Sequence, residues 1–170
     1  MTPSLRLLRS LGLALLAGPF ACPTVNAAEQ AKNALDFELP GREGFIRLAA
    51  LPPGLTLVNF WRSDCPPCVR ELPLLADTAR QTGLRLIAVA LQRPQETAGS
   101  PVDVQAALRS PTLLLHGPST PQGLLARFGN RSGALPHTVL LDRDRRPCAQ
   151  RTGEVDATWL SAALQRCQAT

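Results

Sequence analysis

Apolar residues in this chain follow two kinds of pattern, short continuous runs and stretches with helical spacing. Continuous runs at 55–60 and 84–91 predict buried strands. A helical pattern lies between these runs, formed by Leu72, Leu75, Ala76 and Ala79. It ends near Gly83, a residue type that commonly follows the last turn of a helix. The order strand, helix, strand predicts a βαβ unit and therefore an α/β fold.

Weaker patterns extend this prediction over the rest of the chain. Further strands are predicted at 44–48, 112–115, 137–141 and 147–152. Further helices are predicted at 102–108, 121–128 and 156–166. The remaining polar segments are predicted as a loop over 92–101 and a hairpin turn over 142–146. The pattern contains no repeat, and it indicates one domain over residues 36–170.

The N-terminus has the features of an export signal. Arg6 and Arg9 precede an apolar run over 11–22, which is too short to span a bilayer. Small residues then predict cleavage after Ala27, so residues 1–27 are expected to be a signal peptide. The expected location of the mature protein is the periplasm.

Two alternatives remain open at this end of the chain. Cleavage after Ala28 is the second choice. Lipid anchoring at Cys22 is a minor alternative, because only Ala21 before it fits a lipoprotein signal. Cleavage after Ala27 would leave four cysteines in the mature chain, an even number that suits an oxidising compartment.

The charge of the chain does not indicate nucleic-acid binding. The formal net charge is +5 at pH 7, but no basic stripe is interleaved with aromatic residues, and the chain has no tyrosine. Most of the positive charge is therefore expected on a solvated surface.

Cys65 and Cys68 lie between the first buried strand and the helix that follows it. Pro66 and Pro67 separate them, and both suit the first turn of a helix, where a missing N–H costs little. Cys65 is therefore expected at the helix N-terminus, where unpaired N–H groups and the helix dipole favour an anion. Since the thiolate is the attacking form of cysteine, the sequence predicts Cys65 as the nucleophile and Cys68 as the resolving thiol.

Two other interpretations of this cysteine pair remain open. Cys65 and Cys68 would form half of a zinc site if two more ligands lay at suitable spacing. They would otherwise form a purely structural disulfide of an exported protein. The remaining soft ligands of the mature chain are Cys148, Cys167, His116 and His137.

Cys148 and Cys167 are predicted to form a second disulfide. Cys167 falls on the apolar face of the last predicted helix, and Cys148 lies near the start of the preceding strand. That strand and helix run in opposite directions and have similar lengths, so the two cysteines should meet at one end of the sheet. The rival interpretation is a redox relay to Cys65, which this topology disfavours.

Two motifs resemble the TlpA/ResA/DsbE group of thioredoxin-like proteins. The first is Asn59-Phe60-Trp61 with Cys65-Pro66-Pro67-Cys68 and Glu71-Leu72-Pro73, and the second is 135–144 with its Leu-Pro-His start and Asp-Arg-Asp turn. The segment 111–129 is similar to the insertion of these proteins after the second core strand. The resemblance runs from about Asp36 to Leu164. It implies a thioredoxin-like fold, with a central mixed sheet flanked by helices and an insertion after the βαβ unit.

The resemblance also implies how a partner would bind. Pro136 should follow a cis peptide bond and lie beside Cys65, where its loop pairs with an extended segment of the partner. Trp61 and Leu135 belong to the same substrate-binding surface. Neither a metal nor another cofactor is implied.

The sequence departs from the group at one position, and three polar residues near the motifs have open roles. Asp64 replaces a tryptophan before the first cysteine. It disfavours the thiolate if it points inward, and otherwise it is a solvated loop residue. Asn59 stands where thioredoxin has a buried acid, so the base that activates Cys68 is unassigned. Glu71 is a candidate by motif or an ordinary surface acid. His137 lies near the site or is a structural residue.

The resemblance implies a periplasmic thiol–disulfide oxidoreductase that acts as a disulfide reductase. Its expected partners are an exported protein with a disulfide, such as apocytochrome c or a copper-site protein, and a membrane thiol-reductant donor. The chain is expected to be a monomer.

Two other function classes stay open. A peroxiredoxin-like peroxidase shares the fold, but Arg62 stands where such an enzyme has threonine. A non-catalytic thiol or copper chaperone would use Cys65 and Cys68 as soft ligands.

Overall fold

The computed structural model describes residues 33–168. The expected signal peptide, both expected cleavage sites and Cys22 lie outside the described residues.

Seven strands and five helices follow one another in the described part of the chain. The strands are β1 (Glu38–Pro40), β2 (Phe45–Arg47), β3 (Thr56–Trp61), β4 (Arg85–Ala90), β5 (Leu113–His116), β6 (His137–Leu141) and β7 (Pro147–Thr152). The helices are α1 (Pro66–Thr82), α2 (Pro94–Ala98), α3 (Val102–Ala107), α4 (Gln122–Arg127) and α5 (Ala157–Gln168). A short 3₁₀ turn, Leu48–Ala50, precedes β3.

Five of the strands form one mixed sheet in the order β5-β4-β3-β6-β7. β3 is parallel to β4, and β4 is parallel to β5. β6 is antiparallel to β3, and β7 is antiparallel to β6. β1 and β2 form a separate antiparallel ribbon. The predicted α/β class and the central mixed sheet with flanking helices are confirmed.

The sequence predicted one segment wrongly. Residues 92–101 were expected to be a polar loop, but helix α2 occupies Pro94–Ala98. Pro94 suits the first helical position, and the Glu96 carboxylate accepts a hydrogen bond from the N–H of Arg93 at 2.8 Å. A single turn held by such local bonds has too few apolar positions to produce a helical period. The other predicted elements occur, with ends shifted by one or two residues.

Alternating side chains of the central strands separate two apolar cores. One core lies on the face covered by α1 and α5, and its members include Leu57, Trp61, Cys68, Leu72, Leu75, Leu140 and Leu160. The other lies on the opposite face, and its members include Phe37, Val58, Phe60, Val89, Phe128 and Val139. Side chains of a strand point to the two faces in turn, so continuous apolar runs such as 55–60 supply both cores.

The register defines two ends of the sheet. Thr56 pairs with Leu141, and Leu141 pairs with Pro147, so these residues lie at one end. Phe60 pairs with His137, and β3 ends beside them at Trp61. The loop that carries Cys65 therefore leaves the sheet at the end opposite to Pro147.

Within residues 33–168, no helix has both the length and the apolar character needed to cross a membrane.

Candidate functional site

Cys65 and Cys68 form a disulfide at the start of α1. Cys65 is the N-cap residue, and Pro66 and Pro67 follow it in the first turn. The Cα atoms of the two cysteines are 5.3 Å apart. The Sγ atom of Cys65 also accepts a hydrogen bond from the N–H of Cys68 at 3.4 Å. This N–H and the helix dipole would favour a thiolate at Cys65 once the disulfide is reduced.

The two sulfurs differ in accessibility. Cys68 is fully buried, with 0% of its surface exposed, whereas Cys65 is partly exposed. A partner disulfide can therefore reach Cys65 and not Cys68. This asymmetry is what a nucleophile and a resolving thiol require.

Asp64 is exposed to solvent and paired with Arg62. Its carboxylate is exposed and accepts two hydrogen bonds from the guanidinium of Arg62, both at 2.8 Å. The hydrogen bond from Arg62 lowers the pKa of Asp64, so this acid is ionised in solvent. Of the two interpretations of Asp64, the structure favours the solvated loop residue.

Gln92 holds the loop before Cys65 in place. Its Oε1 atom accepts hydrogen bonds from the N–H of Ser63 at 2.6 Å and from the hydroxyl of Ser63 at 3.0 Å. Arg62 adds a bond to the carbonyl of Leu91 at 3.2 Å. Since Leu91 and Gln92 directly follow β4, these bonds connect the cysteine loop to the neighbouring strand.

Glu71 is buried one helical turn after Cys68, and its carboxylate has two partners. Only 1% of its surface is exposed. Oε1 accepts a hydrogen bond from Nδ2 of Asn59 at 2.7 Å, and Oε2 accepts one from the N–H of Val155 at 2.8 Å. The interpretation of Glu71 as an ordinary surface acid is therefore wrong.

Burial dominates the electrostatics of Glu71. Desolvation raises its pKa from 4.5 to about 7, although the bonds from Val155 and Asn59 favour the charged form. Residues three apart on a helix share a face, so Glu71 lies on the same side of α1 as Cys68. A carboxyl group that titrates near neutrality suits proton exchange with a thiol.

Asn59 connects Glu71 to the sheet. Its Nδ2 atom also donates to Oγ1 of Thr138 at 2.9 Å, across the β3–β6 pair. Its Oδ1 atom is buried and has no hydrogen-bond donor among the described residues. Asn59 cannot take a proton at neutral pH, but it positions the carboxyl group that can.

Trp61 does not form part of an exposed binding surface. Its side chain is 0% exposed and belongs to the core beneath α1. The expectation that Trp61 contacts a partner directly is therefore corrected. Since alternate residues of β3 face α1, Trp61 lies on the same side of the sheet as Asn59. There it belongs to the core that contains Cys68 and against which Cys65 packs.

Leu135 and Pro136 are joined by a cis peptide bond before β6. Pro136 is buried, and its carbonyl accepts a hydrogen bond from the N–H of Gly153 at 2.8 Å. Leu135 is partly exposed and packs against both cores. Among the described residues, none hydrogen-bonds to the backbone of Leu135. Its N–H and carbonyl are thus available to an added strand.

His137 is a structural residue. Its Nε2 atom lies 2.8 Å from the carbonyl of Phe128, and its Nδ1 atom lies 2.9 Å from Oγ1 of Thr152. Its ring stacks on Phe60, in the core opposite α1. Burial lowers the pKa of His137, so the ring is neutral and donates from Nε2 to the carbonyl. Of the two interpretations of His137, the structure therefore favours the structural residue.

Cys148 and Cys167 are joined by a disulfide with a Cα–Cα distance of 5.4 Å. Cys148 lies beside Pro147, at the end of the sheet opposite to the Cys65 loop. With two cysteine pairs at opposite ends, the four residues do not form one ligand cluster. Within residues 33–168, no group of three or more His, Cys, Asp or Glu residues is arranged to hold a metal ion.

Sequence reasoning missed three polar contributors to the site, Gln92, Thr138 and the backbone of Val155. The sequence predicted Gln92 in a loop and Thr138 in a strand, and it gave neither residue a role in the site. Thr138 becomes the neighbour of Asn59 only when β3 pairs with β6, so the register of these two strands is the signal that could have found it. Nothing in the local sequence indicates Val155.

Residues 31–149 match the AhpC/TSA family. The chain is 35% identical over 88 residues to a DsbE homolog, a thiol:disulfide interchange protein of Paracoccus denitrificans, covering 51% of this chain and 48% of the relative. It is 32% identical over 119 residues to the thiol–disulfide oxidoreductase ResA of Halalkalibacterium halodurans, covering 68% and 62%. The chain thus spans about half the length of the first of these relatives and less than two thirds of the second.

A solved structure supports the fold. It belongs to a DsbE-type thiol:disulfide interchange protein of Chlorobium tepidum, and it superposes with a TM-score of 0.60 at 22% identity. The superposition covers 78% of this chain and 93% of the other. The family match shows that the chain belongs to the AhpC/TSA family. Together with the DsbE and ResA relatives and the shared fold, it shows that the chain is a TlpA/ResA/DsbE-like member of the thioredoxin superfamily.

Proposed function

We propose that this protein is a periplasmic thiol–disulfide oxidoreductase that reduces disulfides of exported proteins. The observation that carries the proposal is the Cys65–Cys68 disulfide, with one accessible and one buried sulfur at a helix N-terminus. The names of the DsbE and ResA relatives support the chemistry. The N-terminal sequence supports export.

The first step joins Cys65 to the partner in a mixed disulfide. In the reduced enzyme, the Cys65 thiolate attacks one sulfur of the partner disulfide. The partner's S–S bond breaks, a mixed disulfide forms at Cys65, and the released partner thiolate takes a proton from solvent. The N–H of Cys68 stabilises the attacking thiolate before this step.

The second step uses the buried sulfur. Glu71, in its ionised form, accepts the proton of the Cys68 thiol. The Cys68 thiolate then attacks the Sγ atom of Cys65, which breaks the mixed disulfide and releases the second partner sulfur as a thiolate, and this thiolate takes a proton from solvent. Two electrons have then moved from the enzyme to the partner, and the enzyme holds the Cys65–Cys68 disulfide. A membrane thiol-reductant donor would restore the dithiol by the reverse exchange.

The partner segment binds beside Cys65 along the Leu135–Pro136 loop. The unpaired backbone groups of Leu135 support this, because they suit main-chain pairing with an extended chain. Such pairing depends little on side chains. Backbone pairing of this kind would accept substrates such as apocytochrome c or copper-site proteins. The reaction needs only one copy of the enzyme, so a monomer suffices.

The reduction potential of the Cys65–Cys68 pair tests this proposal. We expect a value at or below about −230 mV in glutathione or dithiothreitol buffers, in the range of reductants. A value near about −120 mV would indicate an oxidant and overturn the reductive direction. The Cys68→Ser variant should accumulate a mixed disulfide with a peptide substrate, and the Cys65→Ser variant should not.

A peroxidase is the second candidate, because the matched family is AhpC/TSA. The residue three positions before Cys65 is Arg62, and its guanidinium is bound to Asp64 and to the carbonyl of Leu91. Consumption of hydrogen peroxide by the reduced enzyme, at a rate abolished in Cys65→Ser, would establish this alternative.

A further inference from the structure

A cavity of about 330 Å³ lies at the edge of the sheet beside the cysteine loop. Its walls come from the loop after β1, from α2 and α3, and from the end of β5. The polar and charged lining residues are Arg42, Thr97, Gln105, Arg109 and His116. Leu108 and Leu114 form an apolar part of the wall. Among the described residues, no Asp or Glu lines this cavity. Its two arginines therefore make it positively charged and suited to bind an anion.

The two arginines of this cavity have no acidic partner. Arg42 and Arg109 are exposed, and neither forms an ion pair with another described residue. The guanidinium of Arg42 is held against the wall by a bond from Nη2 to the carbonyl of Leu108 at 3.0 Å. Glu96, the acid on α2, is already bound to the guanidinium and the N–H of Arg93.

The cavity lies at the same end of the sheet as Cys65. Trp61, Ala90 and His116 pair in one row across β3, β4 and β5. Two strand spacings separate the ends of such a row, a distance of about 10 Å. An extended chain covers that distance in about three residues. A partner whose sulfur is at Cys65 therefore brings nearby side chains within reach of the cavity at His116, and the long side chains of Arg42 and Arg109 line the rest of that cavity.

Hydrogen bonds connect the cavity wall to the cysteine loop. Gln92 donates from Nε2 to Oγ1 of Thr97 at 3.0 Å, and its carbonyl lies 3.4 Å from Nδ1 of His116. The same Gln92 side chain accepts both bonds from Ser63, two residues before Cys65. The wall and the loop are thus parts of one bonded unit, so their relative position is defined.

We propose that this cavity is a docking pocket for an acidic side chain of the protein whose disulfide is exchanged at Cys65. The pocket takes a Glu or Asp about three or four residues from the target cysteine. Its carboxylate pairs with Arg42 and Arg109, while the apolar walls hold its methylene groups. A partner protein is favoured over a free small anion because His116, which lines the cavity, lies at the same sheet end as the accessible sulfur. The inference rests on the proposed function for its partner.

A pair of peptides tests the pocket. Both carry the same cysteines, and they differ only in Glu or Gln placed three and four residues to either side of the target cysteine. In a non-reactive form with serine for cysteine, the Glu peptide should bind about fivefold more tightly at low salt. In the disulfide form it should be reduced with a similarly higher kcat/KM. Both preferences should shrink as salt rises.

Variants separate the pocket from a general effect of charge. Arg42→Gln/Arg109→Gln, and the milder Arg109→Gln, should abolish the preference for the Glu peptide. The control is Arg143→Gln/Arg166→Gln, which removes two exposed charges at the opposite end of the sheet. The control should retain the preference, and both double variants should reduce the Gln peptide at the rate of the unmodified protein.

Each outcome decides one proposal. Equal binding of the two serine peptides would overturn the docking pocket, whatever the enzyme's activity. Equal loss of preference in both double variants would also overturn it, because the effect would then be one of net charge. If the Glu peptide binds preferentially but neither disulfide peptide is reduced, the pocket stands and the proposed reductase function fails.

Discussion

Glu71 shows how one residue acquires its chemistry from its surroundings. The sequence shows that Glu71 follows Cys68 by three residues. This spacing does not reveal whether the acid is buried or exposed, because acids are common on the exposed faces of helices. Here the acid is buried between α1, β3 and the segment before α5. Because water is excluded, the charged form is costly, and the pKa rises to about 7.

This raised pKa makes stability depend on pH. The folded state binds more protons than the unfolded state between the ordinary pKa of 4.5 and the folded value of about 7. The free energy of unfolding should therefore fall as pH rises through this window, by roughly 3 kcal/mol in total. In Glu71→Gln this contribution should disappear. Urea unfolding at pH 5 and pH 8 measures the difference.

The matched control is Glu43→Gln, which changes an exposed acid in the loop after β1. It should keep the pH dependence of the unmodified protein. A Glu71→Gln protein with the same decline in stability from pH 5 to pH 8 would show that another group causes it.

At the scale of elements, the junction between α4 and β6 positions the loop before Pro136. The carbonyl of Phe128 binds His137, and the ring of Phe128 packs on Phe37 and Phe60. Gly129 then turns the chain with φ at +89°, a conformation that residues with a Cβ atom rarely adopt. The turn depends on glycine because a Cβ atom would also lie 2.1 Å from Oε1 of Gln150.

Gly129→Ala should therefore destabilise the protein by about 1–3 kcal/mol. The comparison variant is Gly123→Ala, inside α4, where a Cβ atom would have no neighbour within 4 Å. It should be neutral or stabilise by up to about 1 kcal/mol, because alanine favours helices. Urea midpoints of the two variants test this, and equal midpoints would contradict the role given to the turn.

At the scale of the whole molecule, the sheet keeps two disulfides apart. The Cys65–Cys68 pair lies where β3 ends, and the Cys148–Cys167 pair lies where β7 begins. Since β7 and β3 run in the same direction, these are opposite ends. Direct exchange between the pairs would need a large rearrangement, so the second disulfide is placed to stabilise rather than to relay electrons.

Removing the second disulfide should change stability and leave the redox chemistry intact. Cys148→Ser/Cys167→Ser should lower the free energy of unfolding by about 3 kcal/mol, as expected for closing a loop of this size. The reduction potential of the Cys65–Cys68 pair should stay the same. A shift of more than about 30 mV, or loss of peptide reduction in the folded variant, would support the relay interpretation.

The sequence predicted correctly those features that depend on residues close together along the chain. Two prolines after Cys65 define a helix start, and the apolar run before it defines a buried strand, so the cysteine pair could be placed in advance. The mutual position of Cys148 and Cys167 also followed from element directions and lengths. Trp61 was misassigned, and the role of His137 stayed open, because residue type does not reveal which face of a strand is covered.

The sequence by itself determined the α/β order, the helix that begins at Cys65 and the chemistry available there, because these depend on neighbours along the chain. Only the tertiary structure decided that Glu71 is buried against Asn59 and Val155, that His137 points to the opposite core, and that Arg42 and Arg109 share a cavity near the cysteine loop. These properties depend on contacts between distant segments. Burial sets the pKa of an acid, and strand register sets which side chains meet.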